Sequence, residues 1–304
     1  MNAWTKYGGL LAAGVLTTGL LAAAPASAQQ NTTTAACKIS AGAVTAGGDH
    51  RIQTFAATAP ITRTENRTIA AGLWPDGQAK LSSSWLKGKP AEAPGIQHEG
   101  LTVVGDTMWS GGYLIDGQIQ RFPERVGSQW GAFRAVERSQ VLTSSTSVRE
   151  NVYGITADGT LRRWNLSPAD EVGPQIWRTS GSAGGYSGIK SMALISQTKT
   201  YDTFLMNGRD GALLMVHIPT ASPMKPVVKK LKAATWQGFE AMMAAPCGTG
   251  VLLLGIDKDT GAGYLYAVGH GATVIQGLGK VPGTFTDPVN FAWHEYSDPK
   301  LLAE

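Results

Sequence analysis

The segment Gly263-Tyr-Leu-Tyr-Ala-Val has relatives elsewhere in the same chain, and this internal repetition narrows the possible folds more than any other feature. Drifted copies read Gly211-Ala-Leu-Leu-Met-Val, Gly159-Thr-Leu-Arg-Arg-Trp, Gly117-Gln-Ile-Gln-Arg-Phe and Gly77-Gln-Ala-Lys-Leu-Ser, at intervals of 52, 52, 42 and 40 residues. In four copies the glycine follows an aspartate, Asp76, Asp116, Asp158 or Asp210. Asp-Gly between apolar runs is a strong hairpin signal, because glycine reaches positive φ without steric cost. Apolar runs such as Thr203-Phe-Leu-Met and Val251-Leu-Leu-Leu precede the turns, so each copy reads as strand, tight turn, strand.

A second element opens the units: Trp130-Gly-Ala-Phe133, Tyr186-Ser-Gly-Ile189 and Trp236-Gln-Gly-Phe239, with weaker copies at Trp85 and Phe285. No hairpin follows the last opener, which suggests a unit assembled from both ends of the chain. A repeat of 40–52 residues holding several short strands has the size of a propeller blade. Helical repeats would need apolar spacing of 3.6 over long stretches, and none is found. Only 16% of residues are charged, against about 25% in ordinary globular chains, and the 38 glycines suit a turn-rich β protein. The expected fold class is all-β, a single β-propeller of five blades with its ring closed by the N- and C-terminal strands. The half-unit Asp49–Phe55 belongs to the shared blade or marks a sixth.

Lys6, the apolar run Gly8–Ala24 and the small-residue site Ala26-Ser27-Ala28 read as a secretory signal peptide over residues 1–28. Residues 29–40 then form a flexible mature N-terminus and residues 41–304 the propeller domain. An exported protein with two cysteines is expected to pair them, so Cys37 and Cys247 should form a disulfide tying the start of the mature chain to a point near its end. The formal charge of +4 falls to +3 without Lys6, and only Lys229-Lys230-Leu231-Lys232 clusters. Such a run is a solvated face rather than a nucleic-acid site. The expectation is a secreted, extracellular monomer with no nucleic-acid partner and no membrane association after signal cleavage.

No nucleophile elbow, phosphate-binding loop or zinc-binding H-E-x-x-H motif occurs, and the five histidines show no paired-ligand spacing. Asp257-Lys-Asp259-Thr-Gly261 lacks the further acidic ligands of a calcium loop and reads as a polar turn. Neither a metal nor a cofactor is expected, and the reading is non-enzymatic. The aromatic openers are the positive signal, since flat rings suit both the apolar faces of sugars and the seams between blades. Trp85, Trp130, Tyr186 and Trp236 are therefore the candidate ligand-binding residues, with packing between blades as the competing role.

Trp236-Gln-Gly-Phe239 followed by Gly263-Tyr-Leu-Tyr-Ala-Val resembles the repeat of the tachylectin-type lectins. The resemblance implies a five-bladed propeller that binds N-acetylated amino sugars or their polymers. An extracellular protein-binding propeller, an inhibitor or scaffold, is the alternative; a polysaccharide-processing enzyme ranks last.

Overall fold

The computed structural model describes residues 36–90, 93–144, 147–168, 175–298 and 300–304. The expected signal peptide, residues 1–28, and residues 29–35 lie outside the described residues. Strands account for nearly all regular structure, and the only helices among the described residues are two single 3₁₀ turns. The strands are β1 (Lys38–Val44), β2 (His50–Ala56), β3 (Thr62–Ala70), β4 (Ala79–Ser82), β5 (Trp85–Gly88), β6 (Ile96–Val104), β7 (Thr107–Asp116) and β8 (Gln118–Gly127). They continue as β9 (Phe133–Leu142), β10 (Val148–Thr156), β11 (Leu161–Pro168), β12 (Gln175–Ala183), β13 (Ile189–Gln197), β14 (Tyr201–Gly208), β15 (Leu213–Pro219) and β16 (Val227–Lys232). The last are β17 (Ala241–Cys247), β18 (Gly250–Asp257), β19 (Ala262–Val268), β20 (Ile275–Lys280) and β21 (Val289–Glu295).

Strands β9–β12, β13–β16 and β17–β20 form three four-stranded antiparallel meanders. The other strands make one sheet in the order β3-β2-β1-β21-β5-β6-β7-β8, with β4 also on β6. Within it β21 lies antiparallel on β1, whereas its contact with β5 is parallel and short, running from Trp293 opposite Trp85 to Glu295 opposite Lys87. The C-terminal strand thus completes a meander begun by β1–β3. The segment Asp49–Phe55 is β2 and its lead-in turn, inside that same sheet.

Burial follows strand position. The second strand β18 reads Val-Leu-Leu-Leu-Gly-Ile without alternation and is buried throughout Val251–Ile256, because neighbouring sheets cover both of its faces. Outer strands β8 and β16 are largely exposed, and Lys229, Lys230 and Lys232 on β16 discourage edge-to-edge pairing. Large apolar side chains between sheets, among them Phe204, Leu205, Leu253 and Leu213, are fully enclosed. Each contributes about 1.5–3 kcal/mol on burial. The expected disulfide is present: Cys37 precedes β1, Cys247 ends β17, and the bond joins two sheets across 210 residues of sequence.

Three sequence expectations are corrected here. First, Asp76-Gly77 is no hairpin, since β3 pairs with β2 and β4 with β6, so this turn connects two meanders. Asp116-Gly117 does turn β7 into β8, the outermost pair, but the position equivalent to Gly159, Gly211 and Gly261 is Gly105 between β6 and β7. In the sheet closed by β21 it is Gly48, and all five glycines have positive φ, between 60 and 87°. Second, Trp85 is not an opener. The backbone N–H groups of Trp74, Trp130, Tyr186, Trp236 and Phe285 donate to the carbonyls of Gly48, Asp106, Gly159, Gly211 and Gly261, which gives the opener position to Trp74. Third, regular structure starts at Lys38, inside the stretch expected to be flexible, because the Cys37 bond and pairing with β2 hold it.

Candidate functional site

Each opener sits where a connection leaves an outer strand and passes over the turn of the preceding meander. The residue before it lies in the left-handed region at Gln129 (φ 72°), Gly185 (φ 97°) and Thr235 (φ 81°). At Gln129 the bend is held by Asp106, whose Oδ2 accepts the Gln129 N–H and whose Oδ1 accepts the Gly131 N–H. These backbone donors hold the Asp106 carboxyl below its ordinary pKa. At the opener of β17, Asn207 does the equivalent work from within. Its Nδ2 donates to the carbonyls of Trp236 and Phe239, and its Oδ1 accepts from the Ser191 backbone and hydroxyl.

These devices place the sequence-derived candidates in different settings. Trp130 is 6% exposed, Tyr186 5% and Trp236 5%, so their rings are largely wedged between meanders. Trp236 packs against Tyr266 at 4.8 Å and Phe239 at 5.5 Å. Trp85 is fully enclosed, its Nε1 donating to Ser82 Oγ and its ring 4.4 Å from His50. No face of it is available to a ligand, which corrects the expectation of a contact there. The structure does not gather the four into one site.

Trp130 lines an open cleft, of about 720 Å³, over the β6–β7 and β10–β11 turns. Its aromatic wall is Trp130, Phe133 and Trp164, with Trp130 stacked on Phe133 at 4.6 Å and 4.9 Å from Trp164. Trp164 is half-buried and more exposed than Trp130. Exposed Gln129, Asp158 and Arg162 supply the polar side. The Thr156 hydroxyl and the Thr160 backbone N–H donate to Asp158, holding its carboxyl below the ordinary value. The site therefore offers a partly accessible aromatic surface beside an anion, a cation and an amide. That combination suits a neutral polyhydroxylated ligand with one apolar face. Trp164 and Arg162 went unrecognised in the sequence, although both fall in the recurring segment Gly159-Thr-Leu-Arg-Arg-Trp.

Two further polar clusters are internal. Arg149 pairs with Asp202 at 2.7 Å, and Asp202 also accepts from Ser139, Asn151 and Tyr153, which joins two meanders. His50 lies within a cage of Trp74, Trp85, Tyr113, Phe291 and Trp293, and burial followed by the nearby His98 lowers its pKa to about 3. Among the described residues no group of three or more His, Cys, Asp or Glu could hold a metal ion, and no helix is long and apolar enough to cross a membrane.

No family model matches this sequence. No curated protein matches it either. Among solved structures the chain is similar to "Structure of SapL1 lectin in complex with alpha methyl fucoside", at 9% identity and a TM-score of 0.43, over 80% of this chain and 96% of that one.

Proposed function

We propose that this protein is a secreted five-bladed β-propeller that binds carbohydrate without turning it over, at the cleft bounded by Trp130, Trp164 and Arg162. The ring reading is supported by contacts of β9 with β13, β13 with β17, β17 with β21, β21 with β4 and β5, and β4 with β9, a cycle of innermost strands. The five turn-to-aromatic hydrogen bonds recur at intervals of 49–56 residues. The observation that carries the function is the cleft itself, where the Trp164 indole stands beside Arg162, Asp158 and Gln129. N-acetylated amino sugars are the proposed ligand class, on the resemblance at Trp236–Phe239 and Gly263–Val268. A millimolar site yields only about 4 kcal/mol, so attachment to a polymer would draw on several contacts at once.

A glycan array probed with protein lacking residues 1–28 tests the reading. Binding to N-acetylated amino-sugar glycans is expected, and Arg162→Ala should weaken it tenfold or more while leaving thermal stability unchanged, because Arg162 is exposed. Absence of glycan binding at millimolar concentration would sink the proposal. A protein partner is the second reading, favoured by Ile119 and Phe122, which stand 38% and 42% exposed on the outer strand β8.

A further inference from the structure

A second cavity, of about 290 Å³, lies where the innermost strands meet, and it is lined from β5, β9, β13, β17 and β21. It is distinct from the cleft at Trp130 and shares no lining residue with it. Its mouth mixes apolar and charged groups: Leu142 and Val148, paired across β9 and β10, are 59% and 47% exposed and Tyr296 50%, beside exposed Glu295, Asp298 and Lys300. Leu194 and Leu301 continue the apolar wall inward. Glu137, 8% exposed, lines the pocket and also borders a smaller cavity.

The two oxygens of Glu137 are treated differently. Oε1 accepts from the Ser84 N–H, the Ser84 hydroxyl and the Arg138 N–H, at 2.8, 2.7 and 2.8 Å. Among the described residues no donor reaches Oε2. The adjacent Arg138 guanidinium is committed elsewhere, to Glu99 at 3.1 Å and Glu150 at 2.5 Å. Glu295 is paired with Lys87, and His294 stands 4.0 Å from Asp298. Lys300, exposed at the rim, is the remaining cation of the lining. Within the lining itself three carboxylates, Glu137, Glu295 and Asp298, stand with two cations, Arg138 and Lys300. A buried carboxylate without a dedicated counter-charge is costly, and burial accordingly raises the pKa of Glu137.

We propose that this pocket binds a small alkylammonium cation, its N–H donating to Glu137 Oε2 and its short apolar chain lying against Leu142, Val148 and Leu194. The volume is at the lower end of ligand pockets, about 300 Å³ upward, so a ligand of this kind would be small. A charged donor replaces solvent at Oε2, and the rim covers the chain.

Isothermal titration of protein lacking residues 1–28 with n-hexylammonium and with 1-hexanol separates charge recognition from apolar filling. The ammonium should bind at least tenfold more tightly, and Glu137→Gln should bring it down to the level of the alcohol while leaving alcohol binding unchanged. Equal affinity of the two probes, or a preference for the ammonium that survives Glu137→Gln, overturns the proposal. Should Glu137→Gln not fold, Leu142→Asn at the exposed mouth gives the decision: at least a threefold loss of ammonium affinity supports the site, and no loss overturns it. Arg162→Ala should leave hexylammonium binding unaltered, which keeps this result separate from the fate of the glycan site.

Discussion

At the residue scale, two positions convert local geometry into measurable stability. His98 is 4% exposed and stacks on Tyr113 at 4.8 Å, and burial, then the charges of Lys87 and Arg67, lower its pKa to about 4. Above the unfolded value of 6.5 both states are neutral and the folded protein has its full stability. As pH falls from 6.5 toward 4 the unfolded chain takes up a proton that the folded chain refuses, so stability is lost in that window. His98→Gln should flatten the pH dependence there by up to about 1 kcal/mol per pH unit, screening by solvent keeping it below the full 1.4; urea midpoints measured from pH 7 to 4 check this. Thr235 is a different case, an exposed β-branched residue at φ 81°. Such backbone costs about 1–3 kcal/mol in a residue other than glycine, against roughly 0.5–1 kcal/mol of extra chain entropy for glycine. Thr235→Gly should therefore raise the melting temperature by about 2 °C, as calorimetry would show.

At the scale of elements, each meander must hold its opener over the neighbouring turn, and Asn207 does so with all its hydrogen-bonding capacity inside the protein. Asn207→Ala leaves two opener carbonyls and the Ser191 donors without their partner in a buried site. A loss of about 2–4 kcal/mol is expected in chemical denaturation. The period of these elements was legible in the sequence, but its phase was not in the first two units. Asp-Gly at 76 and 116 is the more familiar turn signal, whereas the equivalent turns carry glycine before aspartate, at Gly48-Asp49 and Gly105-Asp106. Positive φ is what the turn requires, and residue order around the glycine is secondary. A usable clue was present: the aromatic opener follows its turn glycine by 24–27 residues in every unit, which selects Trp74 over Trp85.

At the scale of the whole molecule, the Cys37–Cys247 bond and the pairing of β21 with β1 tie together regions remote in sequence. Opening a loop of this length is expected to cost up to about 5 kcal/mol on the chain-entropy account. The double variant Cys37→Ala/Cys247→Ala should melt at least several degrees lower than the parent in calorimetry, with an unchanged far-ultraviolet spectrum at 20 °C because the strand pairing remains. The sequence by itself determined the all-β class, the repeat, the turn glycines Gly159 and Gly211 and the cysteine pair, since these follow from local sterics, composition and counting. Only the tertiary structure decided that the last strand also lies parallel on β5, that Trp85 is sealed while Trp164 borders an open cleft, and that Glu137 keeps one oxygen without a donor among the described residues. Those outcomes depend on which distant surfaces cover one another, and burial of that kind is a property of the assembled sheets that no single segment encodes.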